Sequence, residues 1–124
     1  MDIIISNSIG KPIYEQISTQ IKEMIMKGEL KEGEALPSMR NLAQQLRISI
    51  ITTKRAYEDL ERDGFIESFT GKGSFVRVQD QEFLREEGLR QIESGLLQTV
   101  EKTKQCGVEL EELIGLIRMI YEGE

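Results

Sequence analysis

Apolar residues recur every three or four positions in the first part of the chain, a spacing that predicts amphipathic helices. A first helix is predicted from Pro12, which suits an opening helical turn, to Gly28, which suits a left-handed helix end. The residues that recur on its inner face are Ile13, Ile17, Ile21, Met24 and Ile25. A second helix is predicted over residues 39–46, after the capping residue Ser38. Its inner face holds Leu42, Ala43 and Leu46.

A third helix is predicted from the capping residue Ser49 to about Asp63, with Gly64 ending it. Four residues fall on one side of this helix and are expected to pack inward: Thr53, Ala56, Tyr57 and Leu60. The opposite side carries Ile51, Lys54 and Arg55. Such a face suits an anionic partner with apolar spots, as DNA offers through its phosphates and thymine methyl groups. An ordinary amphipathic helix explains this stretch equally well.

Two short strands are predicted after the third helix, over residues 65–69 and 74–78, because both are rich in aromatic and β-branched residues. Between them the residues 70–73, Thr-Gly-Lys-Gly, form a tight cationic hairpin tip that can enter a narrow groove. A surface hairpin with a solubilising lysine is the plainer interpretation. The Arg47-Ile48 turn joins the second and third helices with the spacing of a helix-turn-helix.

The pattern changes after Asp80 to two helices separated by Gly107. A helical hairpin of this size cannot bury both apolar faces alone, so we expect it to pack on a second copy of itself and form a two-fold dimer. Packing on the first domain is the alternative. The residues predicted for dimerisation are Leu89, Ile92, Leu96, Val100, Leu110, Leu113, Ile114, Ile117, Ile120 and Tyr121.

The net charge of −6 is unevenly distributed. Residues 1–79 hold eleven Lys/Arg and eleven Asp/Glu, whereas residues 80–124 hold five and eleven. The windows 35–57 and 68–79 contain no acidic residue, and their cations are Arg40, Arg47, Lys54, Arg55, Lys72 and Arg77. Local patches decide contact, so a polyanion is expected to approach these two windows.

Other function classes find little support in the composition. Without histidine, with the single Cys106 and without a phosphate-binding loop, the chain offers no catalytic constellation, so we expect neither an enzyme nor a cofactor or metal. Glu109, Glu111 and Glu112 suit a helix N-terminus better than a metal site. No apolar run is long enough for a membrane span, the first residues do not resemble a secretory signal, and one cysteine fits the reducing cytoplasm.

Five separated segments resemble, in order and spacing, the winged-helix regulators of the GntR family. They are PIYEQI at 12–17, LPSMR at 36–40, LA at 42–43, KRAYEDLERDGFI at 54–66 and GKGSFV at 71–76. The resemblance covers about residues 10–79, and the short two-helix tail is similar to that of the YtrA subfamily.

The resemblance implies a mainly α-helical fold with a small β-hairpin wing: an N-terminal winged helix-turn-helix over residues 1–79 and a C-terminal antiparallel two-helix dimerisation tail over 80–124. It implies a homodimeric DNA-binding regulator, expected to be a repressor, on a two-fold symmetric double-stranded operator, with the third helix in the major groove and the wing in the minor groove. The residues implied to bind DNA are Arg40, Ser49, Ile50, Ile51, Thr52, Lys54, Thr70, Gly71, Lys72 and Gly73. The YtrA resemblance also suggests control of genes for ABC transporters, while the operator and any small-molecule effector stay unidentified.

Ile50 and Ile51 depart from the family pattern, which often has arginine followed by asparagine or threonine. Our hypothesis is that both isoleucines read thymine methyl groups, so that uracil in place of thymine weakens binding. Arg40, Lys54 and Lys72 would then hold phosphates or guanine edges. Two alternatives stay open: Ile50 packs in the core, or the chain is a winged-helix module that binds protein without specific DNA binding.

Overall fold

The computed structural model describes residues 1–77 and 80–123, and it divides the chain into two compact units, Met1–Asp80 and Gln81–Glu124. Val78, predicted as the end of the second strand, and Gln79, predicted as the end of the first domain, lie outside the described residues.

The first unit contains three helices followed by a β-hairpin. Its elements are α1 (Ile13–Met26), α2 (Met39–Leu46), α3 (Ile50–Arg62), β1 (Ile66–Phe69) and β2 (Gly73–Val76). Helix α3 packs against α1, α2 and β1. The observed elements confirm the predicted winged helix-turn-helix, with strands that are slightly shorter than expected.

The helix ends lie where the capping residues place them. The Ser38 hydroxyl accepts a hydrogen bond from the Asn41 backbone N–H at 3.1 Å, which satisfies one otherwise unpaired donor at the start of α2. After α1, Gly28 adopts a φ of 80°, a left-handed conformation that glycine reaches without steric penalty. These local signals explain why the sequence predicts the helix bounds so closely.

The core of the first unit is built around the inner face of α3. All four predicted inner residues, Thr53, Ala56, Tyr57 and Leu60, are buried. Other fully buried apolar side chains are Ile17, Ile21, Leu42, Phe65 and Ile66. This arrangement leaves the opposite side of α3 free to face outward.

The hairpin is antiparallel, with Ile66 opposite Val76 and Phe69 opposite Gly73. The connector between α1 and α2 pairs with the other edge of β2, because the Leu36 N–H donates to Ser74 O and the Val76 N–H donates to Glu34 O, both at 2.9 Å. The sequence predicts no strand between α1 and α2, so the pairing is a feature that it misses. The pairing holds β2, and therefore the hairpin, to the helical part of the unit.

Tyr57 connects α3 to Pro37, the residue before the cap of α2. Its hydroxyl donates a hydrogen bond to the Pro37 carbonyl at 2.6 Å, and burial raises the pKa of its phenol.

Replacing Tyr57 by phenylalanine leaves that carbonyl without its partner, so we expect a loss of about 1 kcal/mol in the free energy of unfolding, measured by urea denaturation. Tyr14→Phe is the control, since the Tyr14 hydroxyl has no hydrogen bond within residues 1–77 and 80–123. Equal effects of the two changes would contradict a structural role for the Tyr57 hydroxyl.

The second unit contains two helices, α4 (Gln81–Cys106) and α5 (Leu110–Glu122). Gly107 between them has a φ of 76°, which ends α4 as predicted. Of the residues described in this unit, only Glu87 and Leu113 are buried, so most of its apolar side chains face outward. No helix in the described part of the chain combines the length and apolar character that a membrane crossing requires.

Candidate nucleic-acid interface

The outer face of α3 is apolar and cationic at its N-terminal end. Ile51 is 80% exposed and Ile50 is 47% exposed, so the alternative that places Ile50 in the core is wrong. Lys54, one turn further on, is exposed as well. The Ser49 and Thr52 hydroxyls lie 2.9 Å apart, and Ser49 also accepts from the Thr52 N–H, so this pair is already engaged in capping the helix.

The Arg55 side chain stacks on Tyr14 of α1. Its guanidinium carbon lies 3.8 Å from the centroid of the Tyr14 ring, within the range of a cation–π interaction. Spacing alone places Arg55 beside Lys54 on the outer face and gives no signal of this contact. Lys54 is therefore the cation of α3 that remains for an outside partner.

At the C-terminal end of α3 the charged side chains are paired with one another. Arg62 contacts Asp59 at 2.9 Å and Asp63 at 3.2 Å, and Lys22 of α1 contacts Asp63 at 2.8 Å. Burial alone would raise the pKa of Asp63, but the hydrogen bonds from Lys22 and Arg62 and their positive charges outweigh it and lower that pKa. These contacts anchor the end of α3 to α1 and leave its first two turns as the cationic part.

Arg40 lies exposed on α2 and lines the same cavity as Ile50 of α3. The helix-turn-helix therefore brings two of the predicted DNA-binding residues together, one cationic and one apolar. No residue lining this cavity is acidic in the part of the chain that is described.

The hairpin tip matches the predicted cationic wing in its backbone. Gly71 has a φ of 78° and Gly73 a φ of 108°, and the Lys72 N–H donates to Phe69 O at 2.9 Å to close the turn. All four predicted residues of the tip, Thr70, Gly71, Lys72 and Gly73, are exposed. Phe69, next to the tip, is 51% exposed and contacts Phe75 with ring centroids 6.1 Å apart.

The residues predicted for dimerisation fall into two groups in the second unit. Leu113 is only 9% exposed and Ile114 is half-buried. Leu113 lines a cleft of about 460 Å³ together with Thr103 and Cys106 of α4, so it already packs within its own protomer. The exposed group is Leu89, Ile92, Leu96, Val100, Leu110, Ile117, Ile120 and Tyr121.

Comparison with known proteins identifies the helix-turn-helix and the hairpin together. Residues 13–76 match the family model "Bacterial regulatory proteins, gntR family". The transcriptional repressor YtrA of Bacillus subtilis strain 168 is 39% identical over 109 residues, which cover 88% of this chain and 84% of YtrA.

Solved structures show the same arrangement. A GntR family transcriptional regulator from Listeria monocytogenes superposes with a TM-score of 0.76 at 26% identity, covering 92% of this chain and 97% of that one. The DNA-binding domain of AraR, solved in complex with operator ORX1, superposes with a TM-score of 0.55 at 26% identity, covering 61% of this chain and 95% of that domain.

The family match and the YtrA similarity confirm the resemblance inferred from the five sequence segments. The relatives are named as regulators of transcription, so this chain is a DNA-binding transcriptional regulator and not an enzyme. The chain belongs to the gntR family of bacterial regulatory proteins, and within it is similar to the YtrA-type repressors.

Proposed function

We propose that the protein is a homodimeric transcriptional repressor that binds a two-fold symmetric operator, with α3 in the major groove and the wing in the minor groove. The observation that carries this proposal is the outward face of α3, where Ile51 is 80% exposed beside Lys54 and no carboxylate occurs before Glu58. An α-helix fits the major groove, and its N-terminal residues are the ones that reach base edges in helix-turn-helix proteins.

The outer face suggests a division of labour between side chains. Ile50 and Ile51 have no polar atoms to exchange with base edges, so we infer that they contact thymine methyl groups. Arg40, Lys54 and Lys72 are exposed cations, and we assign them to phosphates or guanine edges. We infer that Ser49, whose hydroxyl caps α3, and Thr52, whose hydroxyl contacts it, meet the DNA backbone next to the helix start.

The second unit supports the homodimer. Its exposed apolar side chains include Leu96, Ile117 and Ile120, and so many exposed apolar side chains on two helices call for a partner. A second copy of the same tail fits best, because an isologous interface pairs each apolar face with its own counterpart. Two protomers then present two helices α3 to half-sites about one helical turn apart.

The similarity to YtrA supports repression as the outcome, since that relative is named as a repressor. From the subfamily resemblance of the tail, we propose genes for ABC transporters as the regulated class. We expect the protein to act in the cytoplasm, where such an operator would be.

Selection of bound sequences from a random duplex pool tests DNA binding, symmetry and half-site spacing together. The selected duplex then allows a salt titration. With three to five phosphates engaged by each protomer, the slope of log affinity against log salt is expected at about −5 to −9. A slope near −1, or a selected sequence without two-fold symmetry, would contradict groove binding by a dimer. A module that only binds protein would enrich no sequence at all.

A further inference from the structure

The turn between α2 and α3 contains an unusual backbone. Arg47 has φ 57° and ψ 48°, the left-handed conformation, and it is the one non-glycine residue with a positive φ in the described ranges 1–77 and 80–123. A residue with a β-carbon pays a steric penalty there that glycine avoids. The local backbone therefore gives no reason for an arginine at this position.

Arg47 lines a cavity between α2 and α3. This cavity, of about 480 Å³, is lined by Arg40, Ala43, Gln44, Arg47, Ile48 and Ile50. Arg40, Gln44 and Arg47 follow each other at intervals of four and three residues, which places them along one face of α2 and its end. Two arginines and one glutamine thus line a single concave surface that has no acidic lining residue among those described.

The partners of the other arginines show what sets this pair apart. Among residues 1–77, Arg62 and Arg77 form ion pairs with carboxylates, and Arg55 stacks on Tyr14. The side chains of Arg40 and Arg47 make no hydrogen bond or ion pair with any residue that the structure describes. Both keep all of their N–H donors for a partner outside the chain.

We propose that Arg47, with Arg40 and Gln44, forms a clamp for one backbone phosphate of the DNA. A guanidinium offers paired donors that match the oxygens of a phosphate diester, and two guanidiniums on one concave surface suit a single anion. The clamp lies beside Ile50, so a phosphate held there would fix the first turn of α3 against the duplex. This assignment rests on the proposed function, and it gives a specific role to Arg47, which the sequence indicates only as part of the turn and as one cation of the acid-free window 35–57.

The test is Arg47→Gly, measured on the selected duplex and on an unrelated duplex of equal length. Glycine relieves the left-handed backbone, so we expect a melting temperature that is unchanged or higher. Losing one phosphate contact per protomer is expected to make the dimer's salt slope shallower by about 1.8 and to weaken binding about 30-fold at 0.15 M salt. Because a phosphate carries no sequence information, both duplexes should lose affinity to a similar degree.

Lys104→Ala, which removes one positive charge from an exposed position in α4, is the matched control and should leave the slope unchanged. Arg47→Lys, which keeps the charge, should recover part of the affinity. If Arg47→Gly kept the wild-type salt slope and affinity, the clamp would be overturned. The proposed function would still stand, because the wild type binds the duplex. A loss confined to the selected duplex would also overturn the clamp, because that result marks base reading. Absence of duplex binding by the wild type would instead reject the proposed function itself.

Discussion

Replacing Ile117 by glutamate is expected to split the proposed homodimer and to weaken operator binding by about 100- to 10,000-fold, because two linked half-sites bind far more tightly than one. Ile117 lies on α5 and is 44% exposed in the protomer, so its side chain is available to a second copy. A glutamate there would place an unpaired carboxylate in an apolar interface, which opposes association strongly.

Sedimentation equilibrium of the variant should give the mass of one protomer, and titration of the selected duplex should give a single-site affinity. Gln105→Glu is the control, since it adds the same charge to an exposed polar position of α4 and should leave the dimer intact. An Ile117→Glu protein that remains dimeric with full affinity would place the interface elsewhere.

Leu113 shows why the choice of a variant in α5 requires the structure as well as the sequence. The helical period of α5 assigns Leu113 and Ile117 to one apolar face. In the structure Leu113 is 9% exposed and already packs within its own protomer, so Leu113→Glu would damage the tail itself. Periodicity states which residues avoid water, but it cannot state whether the same chain or a second copy covers them.

The first unit was more predictable because its signals are local. Ser38 and Ser49 mark the starts of α2 and α3, and the glycines after α1 and α3 mark their ends. The two glycines of the hairpin tip predict its tight turn in the same way. Each of these features depends on residues within a few positions of one another, which a single sequence displays directly.

Contacts between distant residues were not predictable. The stacking of Arg55 on Tyr14 joins residues of two helices, and the pairing of the 33–36 connector with β2 joins segments about forty residues apart. The left-handed backbone of Arg47 is also hidden, because arginine has no preference for that conformation. Each of these three features depends on how the unit packs, and none produces a periodic pattern in the sequence.

The second large effect is expected from Ile51→Glu, which should weaken binding to the selected duplex about 100-fold or more. Ile51 is 80% exposed, so the change leaves the core untouched. In the proposed complex, a carboxylate at this position would be repelled by nearby phosphates and would remove an apolar contact from each of the two half-sites. A loss of about tenfold per half-site, or 1.4 kcal/mol, gives this total. The same carboxylate lies in the first turn of α3, where it interacts favourably with the helix dipole.

Stability and DNA affinity should therefore change in different directions, with the free energy of unfolding of Ile51→Glu unchanged or raised by up to about 1 kcal/mol. Ile4→Glu is the matched control, since Ile4 is 77% exposed in the same unit, and we expect it to retain most of the affinity. Uracil placed at single thymine positions of the selected duplex then separates the two causes. If Ile51 reads a methyl group, one such position should weaken the wild type but not Ile51→Glu, which has already lost that contact. Full affinity of Ile51→Glu would remove this face of α3 from the DNA interface, because a new carboxylate in that interface is repelled by the phosphates of the duplex.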